Sequence, residues 1–328
     1  MMRTAIACGL LMAVAACGSD GTGNTDVDGG SGGSDAGSGS GSGGEFVPPE
    51  GFKKLIGRTW SIPPGSADTY RCVRVTLTED TFLTNIIAQA PLGTHHTVLS
   101  IASGNVAGPD GEQNCGVGSL GMVMLYASGV GTSPLDFPPD VSVKIPAGTQ
   151  IHLNLHLFNA SDEPLSGESG IWVKSQSTPT PTLAEMVFAG TFLFSIPPSG
   201  MESKADGGCT VGSTANDAFT LFALWPHMHV LATKSKFEIL RGAAEPMVLH
   251  DKPYSFEEQT YWKMDPEIQV QPGDKIRVTC TWVNPVGNGA VIFGDSTNQE
   301  MCFTGMYRYP AKNAGLFQCT DNPGGLGL

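Results

Sequence analysis

The chain has 328 residues, with 31 acidic against 18 basic side chains and a formal charge of −13 at pH 7. That balance, with no clustered Lys and Arg, argues against nucleic acid as a partner. The body beyond the first fifty residues is long enough for two domains of ordinary size.

Residues 1–16 read as a secretory signal peptide. Arg3 gives a positive start, and the apolar run Ala5 to Ala16 is too short to span a bilayer as a mature helix. The run ends in Val14-Ala15-Ala16-Cys17, which is similar to a bacterial lipobox. That similarity implies cleavage before Cys17 and lipidation of its thiol, with Gly18 pointing to the outer membrane, facing the periplasm or the cell surface. The alternative is ordinary cleavage, with Cys17 an unpaired passenger. Residues 17–47 continue as Gly, Ser and Asp with almost nothing to bury, the composition of a disordered tether. A coil of that length reaches on the order of 30 Å. The expected membrane contact is the lipid anchor alone.

Strand patterns fill the rest. "YRCVRVTL" places Val73, Val75 and Leu77 on one side, and "QIHLNLHLF" alternates Ile151, Leu153, Leu155 and Leu157 against His152, Asn154 and His156. "SVKI", "GIWVKS", "MVFAGTFLFSI", "FTLFALW", "SKFEIL", "EIQVQ" and "KIRVTCTWV" follow, punctuated by Gly and Pro, with no long apolar period near 3.6. The expectation is an all-β fold of two tandem antiparallel jelly-roll-like β-sandwich domains, 48–180 and 181–328. The halves echo one another. "HHTVLSIAS" resembles "HMHVLATKS", and "VSVKIPAGTQIHLNLHLFN" resembles "IQVQPGDKIRVTCTWVN". Such matches indicate an internal duplication. They set His156 opposite Thr281.

Removing Cys8 and Cys17 leaves six cysteines, 72, 115, 209, 280, 302 and 319. An even set in an exported chain implies disulfides, and arithmetic alone does not choose the pairing. If all are paired, no thiolate remains for a blue-copper centre.

Five of the seven histidines fall into two clusters. His95 and His96 are adjacent, so within a regular strand they would point to opposite faces. Both meet one ion only at a bend or strand end, which Gly93 and Thr94 make feasible. His156 or His152, on one strand face, is the third candidate. His227 and His229, at i and i+2, share a strand face, with Pro226 fitting an edge or a strand start. Met301, beside Cys302 and behind Glu300, offers a thioether. Imidazole suits copper, zinc, iron and nickel, and a thioether selects a soft ion, above all Cu(I). The blander readings are a surface histidine pair, a core methionine and, for His250, an exposed loop residue. Beyond the Gly/Ser-rich segment the chain lacks a G-x-S-x-G elbow, and it lacks an H-E-x-x-H helix.

With these residues in order, "TYRC", "HHTVL", "HLFN", "HMH", "TCTW", "EMC" and "QCT", the chain resembles the copper type II ascorbate-dependent monooxygenases. The resemblance implies two jelly-roll-like domains facing a solvent-filled cleft, with two coppers per chain and ascorbate or another one-electron donor as co-substrate. It selects His156 over His152. It implies that His95, His96 and His156 store an electron, and that His227, His229 and Met301 are the catalytic set, where O2 meets a substrate C–H bond. It also implies the disulfides Cys72–Cys115, Cys209–Cys319 and Cys280–Cys302. Peptide-oxidising members carry an Arg where Trp225 stands and a Tyr where Gly305 stands. A charged clamp for a peptide carboxylate is therefore missing. Phe222, Trp225 and Phe303 suggest a small apolar or aromatic substrate, while Tyr70 keeps a family position near the substrate. The rival expectations are a non-catalytic copper-binding lipoprotein with the same fold and a zinc or structural-metal module in which Met301 is core.

Overall fold

The computed structural model describes residues 46–321 apart from 67–68, 103–105, 117–121, 130–131, 297 and 314. The signal peptide, Cys17 and nearly all of the tether lie outside the described residues. The described chain is all β, with no α-helix.

Sixteen strands carry the architecture. The first eight are β1 (Lys53–Ile62), β2 (Thr69–Thr76), β3 (Thr81–Gln89), β4 (Thr94–Ala102), β5 (Val123–Ser128), β6 (Val141–Ile145), β7 (Gln150–Leu157) and β8 (Leu165–Gln176). They form two antiparallel sheets, in the orders β1-β8-β3-β6 and β2-β7-β4-β5. The second eight are β9 (Glu185–Gly190), β10 (Glu202–Thr210), β11 (Phe219–His227), β12 (Ala232–Leu240), β13 (Met247–Pro253), β14 (Trp262–Val270), β15 (Lys275–Val283) and β16 (Phe303–Tyr309). Their sheets run β9-β16-β11-β14 and β10-β15-β12-β13. Each strand of the second half therefore takes the place of the strand eight earlier in the first. Short strands add to the edges, such as Thr182–Leu183 on β6 and Cys319–Thr320 on β9.

The same register appears in a side chain. Asn159 and Asn284 each follow the seventh strand of their half, and both are buried. Asn159 Nδ2 donates to the carbonyls of Pro63 and Glu163, and Asn284 Nδ2 donates to those of Ile196 and Gly289. The two amides close equivalent loops, because a buried amide must find acceptors. His156 and Thr281 then occupy equivalent positions. The partner of His156 on β4 is His96, while the partner of Thr281 on β12 is Lys234. The echo between "HHTVL" and "HMHVL" thus does not follow the ladder. His227 ends β11, and His229 lies in the connection to β12.

The expected strand "MVFAGTFLFSI" is broken at Gly190. A Cβ there would lie 1.9 Å from the Cys302 carbonyl oxygen, so only glycine permits this approach of β9 to the start of β16. Strand β7 also departs from simple alternation, because all eight of its residues are buried. Its leucines enter a buried hydrophobic cluster. His156 and Asn154 line a cavity shared with the second half. A buried polar face is tolerated there because its groups find partners, as where Asn154 Nδ2 donates to the Gly116 carbonyl at 3.3 Å.

The first core cluster runs across both halves and includes Leu153, Tyr126, Phe222, Trp225, Tyr261 and Tyr307. Tyr261 OH donates to the Ala127 carbonyl (2.6 Å) and accepts from its N–H (2.9 Å), and Tyr307 OH donates to the Leu125 carbonyl (3.1 Å). These two satisfied hydroxyls fix how β5 meets the second half. A second cluster, around Phe237, Trp282 and Met306, belongs to the second half alone.

Candidate metal centre

The first cluster is built by two neighbouring strands. His96 on β4 pairs with His156 on β7, and the register slips between Thr94 and His96. This bulge at His95, just after Gly93 at φ +96°, is the bend that an adjacent pair requires. It brings the His95 and His96 rings to 4.2 Å, with Nδ1 facing Nδ1 at 3.1 Å. One ring nitrogen from each of His95, His96 and His156 lies within 4.8 Å of the others. Three imidazoles so placed fit a transition-metal ion. Tyr70 stacks flat on His156 at 4.7 Å. Burial holds His96 well below the usual imidazole range, and His95 beside it adds to the effect. The ring stays neutral, the form that ligates metal.

The second cluster is assembled from ends and connections. His227 and His229 have rings 5.5 Å apart, while Met228 between them is fully buried on the other side. Pro226 pairs with Thr304 on β16, at a point where pairing with β14 has already ended at Leu224. It therefore closes a strand rather than starting one. Burial pushes His227 down to about 3 and also lowers His229. His227 Nδ1 meets Gln259 Oε1 at 2.8 Å, and His229 Nδ1 meets the Gln299 carbonyl at 3.0 Å. A carbonyl oxygen only accepts, so these contacts place the protons on Nδ1 and leave the lone pair of each neutral ring on Nε2.

Glu300 organises this cluster. It is fully buried, and its carboxylate accepts from the backbone N–H of His229 (2.9 Å), Leu231 (2.7 Å) and Met301 (3.3 Å) and from Trp282 Nε1 (3.0 Å). Burial raises it to about 7, against the pull of those four donors. The neighbouring residue, Cys302, is bonded to Cys280 on β15. Met301 is thus pinned from both sides. The other two disulfides are Cys72–Cys115 and Cys209–Cys319, so the three bonds join the pairs that the family resemblance implies.

His96, His156, His227, His229 and Met301 all line one cavity of about 190 Å³. Its remaining wall is chiefly apolar, with Met124, Phe188, Trp225, Phe256, Phe303 and Phe317 among the lining residues. Trp225 stacks on His227 at 4.9 Å. Phe222 is not in the wall; it packs against Phe137 and Tyr307, so its expected role at the substrate gives way to a core role. His250 is not an exposed loop residue: it lies buried on β13, edge-on to Trp262 at 4.9 Å. His152 is also buried and accepts from Arg74 Nε at 3.3 Å. Sequence reasoning missed Phe256, Gln259 and Asp295, all three in the cavity wall. None of them stands in a recognisable spacing. Glu300 was visible only as the acidic neighbour of Met301.

Residues 182–323 match the profile described as copper type II ascorbate-dependent monooxygenase, C-terminal domain. Putative DBH-like monooxygenase protein 2 of Homo sapiens is 26% identical over 249 residues, covering 70% of this chain and 49% of that protein. Dopamine beta-hydroxylase of Canis lupus familiaris is 28% identical over 146 residues, covering 43% of this chain and 23% of that protein. Peptidyl-glycine alpha-amidating monooxygenase A of Xenopus laevis is 21% identical over 251 residues, covering 74% of this chain and 26% of that protein. The chain spans about half the length, or less, of these relatives.

Proposed function

We propose that the chain is a copper type II ascorbate-dependent monooxygenase, the family whose C-terminal-domain profile matches residues 182–323, and that it hydroxylates a C–H bond of a small apolar or aromatic substrate. The observation that carries the reading is the meeting of five sequence-distant donors, two imidazoles from one half and two imidazoles and a thioether from the other, in one apolar cavity. His95, His96 and His156 would hold one copper ion and His227, His229 and Met301 a second. The donor sets fit the metal, because imidazole binds both copper oxidation states and the thioether favours Cu(I). Bound copper, reduced by ascorbate or another one-electron donor, supplies the activation of O2 that puts one oxygen atom into the substrate and the other into water.

The protein's own part is positional. Burial keeps His96, His227 and His229 neutral, so each ring retains one nitrogen lone pair. Glu300 and the Cys280–Cys302 bond hold His229 and Met301 in place. Phe188, Trp225 and Phe303 receive an apolar group and exclude water. Among the described residues nothing cationic lines the wall, which fits the missing carboxylate clamp. We read each half as a jelly-roll-like sandwich, supported by the shared strand orders, first-eighth-third-sixth and second-seventh-fourth-fifth. The disulfides suit an oxidising compartment. Export, with a lipid on Cys17 and a tether to about residue 47, completes the reading.

The test is oxygen uptake by copper-loaded protein with ascorbate, coupled to product from a panel of small apolar and aromatic compounds. Coupled uptake that is lost in Met301→Ala supports the reading. Two coppers bound with no coupled uptake would leave a copper-binding protein instead.

A further inference from the structure

Gln259 belongs to neither cluster and touches both. It lies in the connection between β13 and β14, close to Phe256, whose ring packs on His95 at 5.2 Å and on His96 at 4.9 Å. Gln259 Oε1 is 2.8 Å from His227 Nδ1. Its Nε2 is 3.0 Å from His96 Nε2 and 2.9 Å from the Phe256 carbonyl oxygen. The carbonyl only accepts, and this fixes the amide with its NH2 toward His96 and its oxygen toward His227. The oxygen then takes the Nδ1 proton of His227 and leaves a lone pair on Nε2. At His96 the amide N–H needs an acceptor, so Nε2 carries the lone pair and Nδ1 the proton. Yet Nδ1 is the atom of His96 that converges on His95 Nδ1, at 3.1 Å.

We propose that Gln259 is a positioning residue that prepares the second cluster for its ion while holding His96 in the tautomer that cannot take one. The proposal rests on reading the two clusters as copper sites. An ion on His96 Nδ1 moves the ring proton to Nε2, which sets N–H against N–H at 3.0 Å. The Phe256 carbonyl, 3.4 Å from His96 Nε2, then becomes the acceptor for that proton. Turning the amide round offers its oxygen to His96, but sets NH2 against the Nδ1–H of His227 and oxygen against the Phe256 carbonyl. One amide oxygen cannot serve both rings. Loading the first cluster therefore displaces Gln259 and couples the two sites through the β13–β14 connection, a coupling free energy in the usual sense.

The test uses the full chain with 15N-labelled histidine. Long-range 1H–15N spectra of the metal-free protein should show His96 protonated on Nδ1, and Cu(I) loading should move that proton to Nε2. Gln259→Met should populate the Nε2–H form without metal. It should raise Cu(I) affinity at the first cluster about tenfold, measured by chelator competition, because an opposed buried donor is removed. Gln259→Glu, which has acceptors for both rings, should raise it as well. An Nε2–H tautomer in the metal-free wild type, or first-cluster affinity unchanged in both variants, overturns the proposal. Fewer than two ions bound by the wild type would instead sink the copper reading, and the metal-free tautomer would still decide the role of Gln259.

Discussion

The two histidine clusters differ in what holds them. His96 and His156 face each other across a β4–β7 ladder, and a single bulge adds His95. His227 stands at a strand end, and His229 and Met301 stand in connections. A ladder fixes side chains through backbone hydrogen bonds on both sides. A connection has no such frame, so the second cluster needs a buried carboxylate, a disulfide and the amide of Gln259. The difference shows where a histidine cluster's rigidity originates: the first inherits it from the sheet, and the second carries its own fixings.

The largest expected effect tests that contrast at Glu300. In Glu300→Ala four donors lose their buried acceptor, three backbone N–H groups and Trp282 Nε1. Stability should fall by about 3–5 kcal/mol, as when one partner of a buried charged network is removed. Cu(I) uptake at the second cluster should fail while the first cluster still loads. Denaturant unfolding and metal stoichiometry read the two effects separately. Loss of both sites together would mean that the clusters share one frame, against the contrast drawn here.

Next comes the staple. The Cys280–Cys302 bond closes a separation of 22 residues and Cys72–Cys115 one of 43. On loop entropy alone, opening either costs about 3–4 kcal/mol. The effects on metal should diverge. With Cys280 and Cys302 both changed to Ser, Met301 is released and Cu(I) affinity at the second cluster drops. The same change at Cys72 and Cys115 should spare the first cluster, because β7 stays paired with both β2 and β4. Chelator competition on each double variant is the measurement. Met301→Ala is expected to be milder for stability, with at least about tenfold weaker Cu(I) binding at the second cluster, or about 1.4 kcal/mol, and little change in Cu(II) binding.

Much of this was legible in the sequence, though unevenly. Alternating runs gave the strands, and the Pro-Gly turn repeat gave the equivalence of β7 and β15, which Asn159 and Asn284 now carry in their hydrogen bonds. The bend at His95 followed from the fact that adjacent side chains in a regular strand cannot converge. Phe256, Gln259 and Asp295 left no trace, because they reach the cavity from connections, where neither period nor spacing reports burial. Phe222 and Trp225 look alike in sequence, three residues apart on one strand. Which of them meets the cavity depends on where β11 loses register, between Leu221 and Ala223.

The smallest effect concerns a histidine in neither cluster, and it separates burial from ligation. His250 is as buried as His156 and His229, and burial lowers it to about 4. Its Nδ1 has no partner among the described residues. The unfolded chain therefore protonates His250 first on acidification, near its ordinary value of about 6.5. The stability contributed by keeping it neutral is complete above that pH and is lost as pH falls toward 4. By pH 5.5 the loss is about 1 kcal/mol. His250→Phe keeps an aromatic ring against Trp262 and removes the proton, so the gap between variant and wild type should shift in the variant's favour between pH 7 and 5.5. Metal stoichiometry should not change. If His250→Phe instead removed an ion, depressed basicity in this fold would mark ligands after all, and the division between sheet-held and self-supported clusters would need a third member.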